Sequence, residues 1–375
     1  MRSFVILVLI LAWNLSPAFA AQEKEPVFKG KALSERVKDL KSPEAEIRRR
    51  AVLAIRDTVP LQTGQVPALI EMLKDEDDKV REYAASAVGW VGRKDPRAVQ
   101  PLIGTFKKDK SIFVRSNAAD ALSFLQPYPK EAIPAFLDGL KNPHPNIRSS
   151  SASGLWRSQA PEAIGPLTAA LKDSSIVVRG SAASSLGNWG PEAKEAVPLL
   201  IELLKALPTE KDNQLLPLLH ATARRNAATA LGRISRGSDV AVNALVAALN
   251  DTEVGPSAAQ ALGEIGPQAR PAIEPLKEWI KTDKDARIRI HAAAAVMRID
   301  PKFSKSSLTI LIDGLNDKRS FVRHNAVGAL EDLGPVAKEA VPALLGLVKD
   351  KDLGDRAATA LRKIDPEAAK KAGVP

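Results

Sequence analysis

One short string governs what this chain can fold into: an aliphatic residue, an arginine, two variable residues, then Ala-Ala-x-Ala-Leu or a close variant, repeated from end to end. The arginine position falls at Arg48, Arg81, Arg115, Arg148, Arg179, Arg224, Arg289 and Arg323, with Gly255 and Gly354 standing there twice. These are ten copies, stepped by 31 to 34 residues apart from one step of 45 between Arg179 and Arg224. A unit of that length holds one supersecondary element and cannot bury its own apolar face, so the copies must stack into an array.

Within each copy the apolar positions fall at 0, 4, 7, 8 and 11 from the aliphatic residue, as in Val80, Ala84, Ala87, Val88 and Val91, which is one face of an α-helix. A second apolar segment, V-P-x-L-x-x-x-L, precedes it and is clearest over 66–75, 197–205 and 341–350. Proline suits the first turn of such a helix, where its missing N–H has no partner to lose. Gly190-Pro191, Gly266-Pro267 and Gly334-Pro335 close one helix and reopen the chain for the next. Each copy therefore reads as a helix-turn-helix in an all-α rod, with the first helices expected on the convex side and the arginine-bearing second helices on the concave side. An aromatic content of 4% and 27 prolines fit many small contacts better than one large core.

These units resemble HEAT repeats, most closely the short HEAT-like repeats of phycobilin lyase subunits and bacterial scaffolds, over about residues 33 to 368. The resemblance implies a right-handed α-solenoid of about ten hairpins. Its clearest marker is a polar pair at the turn: Asp75, Asp109, Asp173, Asp283 and Asp317 each stand six residues before Arg81, Arg115, Arg179, Arg289 and Arg323. In HEAT proteins such residues form a ladder that stitches adjacent turns together, and the same role is implied here. Ser42 and Asn142 replace the aspartate in two units, and where glycine replaces the arginine, Asp251 and Asp350 stand only four residues away.

Residues 1–20 read as a secretory leader: Arg2 is a positive start, the apolar run from Phe4 to Trp13 is too short to span a bilayer, and Ala18-Phe19-Ala20 is an A-x-A cleavage pattern. The expected mature protein begins after Ala20 and is extracytoplasmic, with a linker over 21–32, the solenoid over 33–368 and a tail over 369–375. The chain has no cysteine, which removes disulfides, thiolate metal sites and thiol catalysis.

No catalytic constellation emerges. A HEAT-like family of iron hydroxylases carries paired His-Glu motifs, but no His-Glu dipeptide occurs here; His144, His220, His291 and His324 read as scattered surface residues. There is no G-x-S-x-G elbow, no S-x-x-K and no phosphate-cradling glycine loop. No catalytic residue, cofactor or metal is therefore assigned.

The second-helix positions 2, 3, 6 and 10 residues after the aliphatic residue are the ones expected to face the concavity. Arg49, Arg50, Arg157, Arg225, Arg233, Arg298, Arg356 and Lys363 are offset there by Asp57, Glu82, Asp120, Glu264, Asp332 and Asp355. A phosphate-tracking groove needs a stripe of one sign, so nucleic acid is not an expected partner although the chain carries a net charge of +10. Tyr83, Trp90 and Phe124 fall on this face in two successive units, Trp156 one position away in the next, and Asn117, Ser150 and Arg157 supply polar contacts. This group is the candidate partner-binding patch, with the bland alternative that the large rings fill gaps near helix ends. The long step holds an insertion over 205–223, with the apolar run Leu215-Leu216-Pro217-Leu218-Leu219, at one edge of the array. The expected function is that of an exported, monomeric interaction scaffold for a peptide or protein. A phycobilin-lyase-like enzyme or lyase chaperone and a binder of anionic envelope polymers are the alternatives.

Overall fold

The computed structural model describes residues 27–28, 30–58, 63–207, 216–235, 237–282 and 285–374. The expected leader, Asp283 and residues 208–215 of the insertion lie outside the described residues. Nearly everything else is helical, and the hairpins follow the sequence repeat. First helices include Val66–Glu71, Val99–Lys108, Ile133–Gly139, Val197–Lys205 and Val341–Leu347. Second helices include Ala45–Arg56, Asp78–Val91, Ile112–Phe124, Pro145–Gly154, Ile176–Leu186, Leu216–Ile234, Gly255–Ile265, Ala286–Ile299, Ser320–Leu333 and Gly354–Ile364. Within the stretch read as linker, Val27–Phe28 pairs antiparallel with Lys31–Ala32 across a turn that uses Gly30 at φ 77°.

The two layers differ in side-chain size, and that difference sets the curvature. Second helices meet each other through small residues: a Cβ placed on Gly89 would lie 2.5 Å from Ala121 Cβ, and one on Gly232 would lie 2.7 Å from Ala261 Cα. First helices present bulk to the core, with Leu69, Leu102, Phe106, Phe136, Leu167 and Leu200 all within 1% of complete burial. Each unit is thus a wedge, thin along the second helices, and stacked wedges bend toward their thin side. One cleft touches Asn188, Arg233, Glu264, Arg298 and Asp332 from five successive units, which requires the second helices to line the inside of the curve. The apolar interior runs along the array, and the helix Ala286–Ile299 divides its faces: Ala292, Ala295 and Val296 pack toward the preceding units, Ile290, Ala293 and Met297 toward the following ones.

The turns are joined by arginines acting in two directions. Arg48 grips Asp75 of the next unit with Nε and Nη2 (2.7 and 2.9 Å) and gives Nη1 to the carbonyls of Ser42 and Pro43 in its own turn. Arg81 does the same with Asp109 (2.7 and 3.1 Å) and its own Asp75 carbonyl, and Arg148 with Asp173 (2.7 and 2.8 Å) and Asn142. Arg224 reaches Asp251 at 2.6 Å, and Arg323 reaches Asp352 at 2.8 Å. At Asp75, Asp109 and Asp173 the carboxylate thus answers the arginine of the preceding unit, while Arg81, Arg179 and Arg323 take the carbonyl of the aspartate six residues before them; the Asp317 carboxylate is held instead by Arg319 of its own turn at 3.0 Å. Where Asn142 replaces the aspartate, Arg115 turns Nε to the Phe106 carbonyl instead (2.7 Å). Arg179, ahead of the insertion, bonds its own Asp173 carbonyl at 2.8 Å. Arg49 adds a second clamp on Asp77, which caps the helix Asp78–Val91 through the Val80 N–H, and this guanidinium holds the Asp77 carboxyl down to about 2. A depressed carboxyl stabilises fully above the ordinary carboxylate range and loses that contribution only as pH falls toward its folded value.

The two arginine-to-glycine changes have a steric cause. In these shortened turns a Cβ on Gly255 would lie 2.6 Å from the Leu249 carbonyl oxygen and 2.5 Å from the Trp279 ring, and one on Gly354 2.6 Å from the Val348 carbonyl oxygen. Only glycine fits.

Gly89→Ala forces a methyl into Ala121 and its backbone, and is expected to destabilise by about 1–3 kcal/mol. Gly104→Ala, in a helix interior with nothing near the new methyl, is expected to stabilise by about 0.5–1 kcal/mol. Urea unfolding followed by circular dichroism measures both, and equal effects at the two sites would sink the wedge argument. Arg81→Met strands Asp109, whose side chain is 8% exposed, and is expected to cost about 3–5 kcal/mol in the same assay.

Candidate functional site

Ten residues after the leading aliphatic position, each second helix ends and points a side chain into the concavity. In the N-terminal half this row carries Asp57, Trp90 and Phe124, then Arg157; in the C-terminal half it carries Asn188, Arg233, Glu264, Arg298, Asp332 and Lys363. Two clefts follow the division.

The C-terminal cleft, about 860 Å³, is charged on both sides of neutrality. Arg233 lies 3.8 Å from Glu264, Arg298 lies 3.5 Å from Asp332, and Lys363 lies 2.5 Å from Glu331. Arg49, Arg50 and Arg225 are likewise held, by Asp77, Glu46 and Glu253. Most basic residues of the concave face are therefore already paired.

The N-terminal cleft, about 800 Å³, is walled by Trp90 and Phe124, with Gly89 and Ala121 at the helix contact and Ser86, Asn117 and Asp120 between them. Trp90 is 55% exposed and Phe124 57%, so these rings stand open where a gap-filling ring would be buried. The close approach of Gly89 to Ala121 opens the space between the rings. Arg56 and Asp57 close one end as a mutual pair at 2.7 Å, and Arg93 stands at the rim. Asp120 keeps solvent-exposed area, yet the protein crowded around the cleft strips part of its hydration and raises its carboxyl above the ordinary range.

Of the residues singled out in the sequence, Trp90, Asn117 and Phe124 line this one cleft. Tyr83 is partly buried and packs on the core. Trp156 and Arg157 stack on each other at 5.6 Å in the next unit, with Arg157 reaching the Ser123 carbonyl at 3.4 Å, and Ser150 is half-buried outside the cleft. Arg56, Ser86, Gly89 and Arg93 were missed. Gly89 carried a signal, a glycine beside a tryptophan where its neighbours have bulkier residues; Arg93 lies beyond the helical positions that the repeat defines. The histidines need a correction: His220 is 7% exposed, buried by the long helix Leu216–Ile234, and His291 is half-buried, its imidazole held toward neutrality by burial. No cluster of metal-ligating side chains occurs among the described residues. No helix among them is long and apolar enough to cross a membrane.

Stacked hairpins with an inner groove define the class: an α-solenoid of the kind that presents an extended binding face. The model of HEAT repeats matches residues 33–123, 133–210, 213–297 and 273–365, and the chain belongs to that family. It is 29% identical over 216 residues to an uncharacterized phycocyanin operon protein of Pseudanabaena tenuis, covering 55% of this chain and 97% of the other. Among solved structures it is similar to a chain of the AP-3 complex (TM-score 0.53, 17% identity, 82% of this chain and 58% of that one). It is also similar to the CpcE and CpcF complex of phycocyanin lyase from Nostoc (TM-score 0.41, 24% identity, 68% and 98%). The chain spans about half the length of the large solenoids it resembles, 46% of the karyopherin Kap121p and 58% of the AP-3 chain.

The raised Asp120 carboxyl means the folded state holds its proton more readily than the unfolded chain. Stability from this group therefore falls as pH rises from the ordinary carboxylate range through the raised one. Asp120→Asn is expected to raise the thermal midpoint at neutral pH and to leave it unchanged in acid; a lowered midpoint at neutral pH contradicts this.

Proposed function

We propose that this chain is an exported interaction scaffold that binds a peptide or protein partner on its concave face, in the N-terminal cleft. The observation that carries the reading is the pair of open aromatic rings, Trp90 and Phe124, facing one cleft beside Asn117 and Asp120. Tryptophan is among the side chains that dominate binding energy at protein interfaces, and phenylalanine is enriched there. The leader pattern over residues 1–20 supports export, with the mature chain starting after Ala20. No catalytic role is assigned.

A second reading, a phycobilin-lyase-like enzyme or lyase chaperone, is favoured by the likeness to the phycocyanin operon protein. It predicts covalent bilin attachment to a phycocyanin apoprotein on addition of this chain, read as colour retained under denaturing conditions. Binding of anionic envelope polymers would draw on the +10 net charge. The pairing of the concave basic residues weighs against a polyanion groove, and polymer binding would collapse as salt rises.

Cross-linking and recovery of partners from the envelope fraction, with wild type, Trp90→Ala and Phe124→Ala, tests the leading reading. Each variant is expected to lose partners by about tenfold or more, the scale of an interface hot spot. Full recovery by both would remove the cleft as the site, and a purified mature protein whose mass retains residues 1–20 would remove export.

A further inference from the structure

The chain's aromatic rings are not treated alike. Phe113, 57% exposed, lies beneath Lys79 Nζ at 5.6 Å; Trp156, 39% exposed, lies beneath Arg157; Phe321, 48% exposed, lies between Arg287 and Arg319 at 5.3 and 5.6 Å. Phe303 is covered by Lys277 Nζ at 4.1 Å. The face of an aromatic ring carries negative potential, and in each of these places the chain supplies its own cation to it. Trp90 and Phe124, 55% and 57% exposed, have no such cover among the described residues.

The charges in their cleft are similarly incomplete. Arg56 and Asp57 satisfy each other. Asp120 makes no ion pair among the described residues, and partial loss of hydration within the cleft raises its carboxyl. Arg93 makes no ion pair among the described residues. It sits past the end of the helix Asp78–Val91, on the loop pinned by the 2.7 Å bond from the Gln126 N–H to its carbonyl, and offers donors to a carbonyl or carboxylate at the rim. An anion entering the cleft would gain Arg93 but face two ring surfaces and a carboxylate of the wrong sign. A cation would meet all three favourably and would return to Asp120 the partner it lacks.

Resting on the scaffold reading above, we infer that the N-terminal cleft takes a cationic side chain, held against the Trp90 and Phe124 rings with Asp120 as counter-charge, so that the partner is a peptide segment presenting lysine or arginine. The cleft's 800 Å³ admits such a side chain with its flanking backbone. The chain as a whole is strongly basic, so long-range attraction favours the opposite choice, and a preference for a basic peptide reports the cleft itself.

Fluorescence anisotropy with labelled octalysine, octaglutamate and octaserine, on the mature full chain at physiological salt, tests this. Octalysine is expected to bind tightest, to weaken about tenfold in Asp120→Asn and about fivefold in Trp90→Leu, and to hold or tighten in Arg93→Gln. A thermal midpoint of Asp120→Asn no lower than that of wild type, measured beside the binding, separates loss of binding from unfolding. Octaglutamate binding as tightly as octalysine, or octalysine binding unchanged by Asp120→Asn, overturns the inference. If envelope partners are lost from Trp90→Ala and Phe124→Ala but kept by Asp120→Asn, the scaffold reading stands and the cationic specificity falls.

Discussion

The architecture depends on how closely neighbouring second helices approach. Gly89 against Ala121 and Gly232 against Ala261 leave no room for a larger side chain, whereas the first helices are spaced by leucine and phenylalanine. This inequality of size makes each unit a wedge and gives the array an inside. The same Gly89 contact brings the ends of two helices together so that Trp90 and Phe124 face a shared space. Packing and site are therefore one arrangement, read at two positions of one helix.

The arginines do different work. Small-residue packing between helices fixes distance but is tolerant of sliding, since an alanine face offers few features to lock against. A guanidinium that grips a carboxylate of the next turn with two nitrogens and its own turn with a third has only one geometry that satisfies all its donors. The ladder thus sets register between units, and the buried carboxylates make it costly to break. On the inner face, charge is used in another way: pairs such as Arg233 with Glu264 cancel locally and leave the C-terminal groove polar and close to neutral.

The fold was legible because the repeat is periodic at two scales, the helical face within each unit and the step between units. Part of the ladder was legible too, although spacing alone did not reveal that Asp75, Asp109 and Asp173 answer the arginine of the preceding unit, nor that Asp317 is held by Arg319 of its own turn; side chains reach along the stack, a direction that the linear sequence does not display. Trp90, Asn117 and Phe124 came from equivalent helix positions and fell in one cleft. Trp156 stands one position off the pattern, which turns its side chain by about 100°; Tyr83 and Ser150 share the register of Asn117 but lie outside the cleft, Tyr83 packed on the core and Ser150 half-buried in the next unit. His220 was misread as a surface residue because the helix Leu216–Ile234 is longer than its counterparts and buries what looked like part of a loop. Arg93 lies on irregular backbone, where periodicity says nothing.

Not every rung of the turn-edge ladder is charged on both sides. Arg115 faces a unit with Asn142 in place of aspartate and bonds the Phe106 carbonyl within its own hairpin, so no guanidinium-carboxylate tie crosses this junction among the described residues. Bending a stacked rod stretches its edges first, and an edge joined only by apolar contact yields more easily than one joined by charged hydrogen bonds. Lacking that clasp, the junction between the units of Phe124 and Trp156 adds compliance at the lip of the aromatic cleft, where a small flexure changes the width of the mouth.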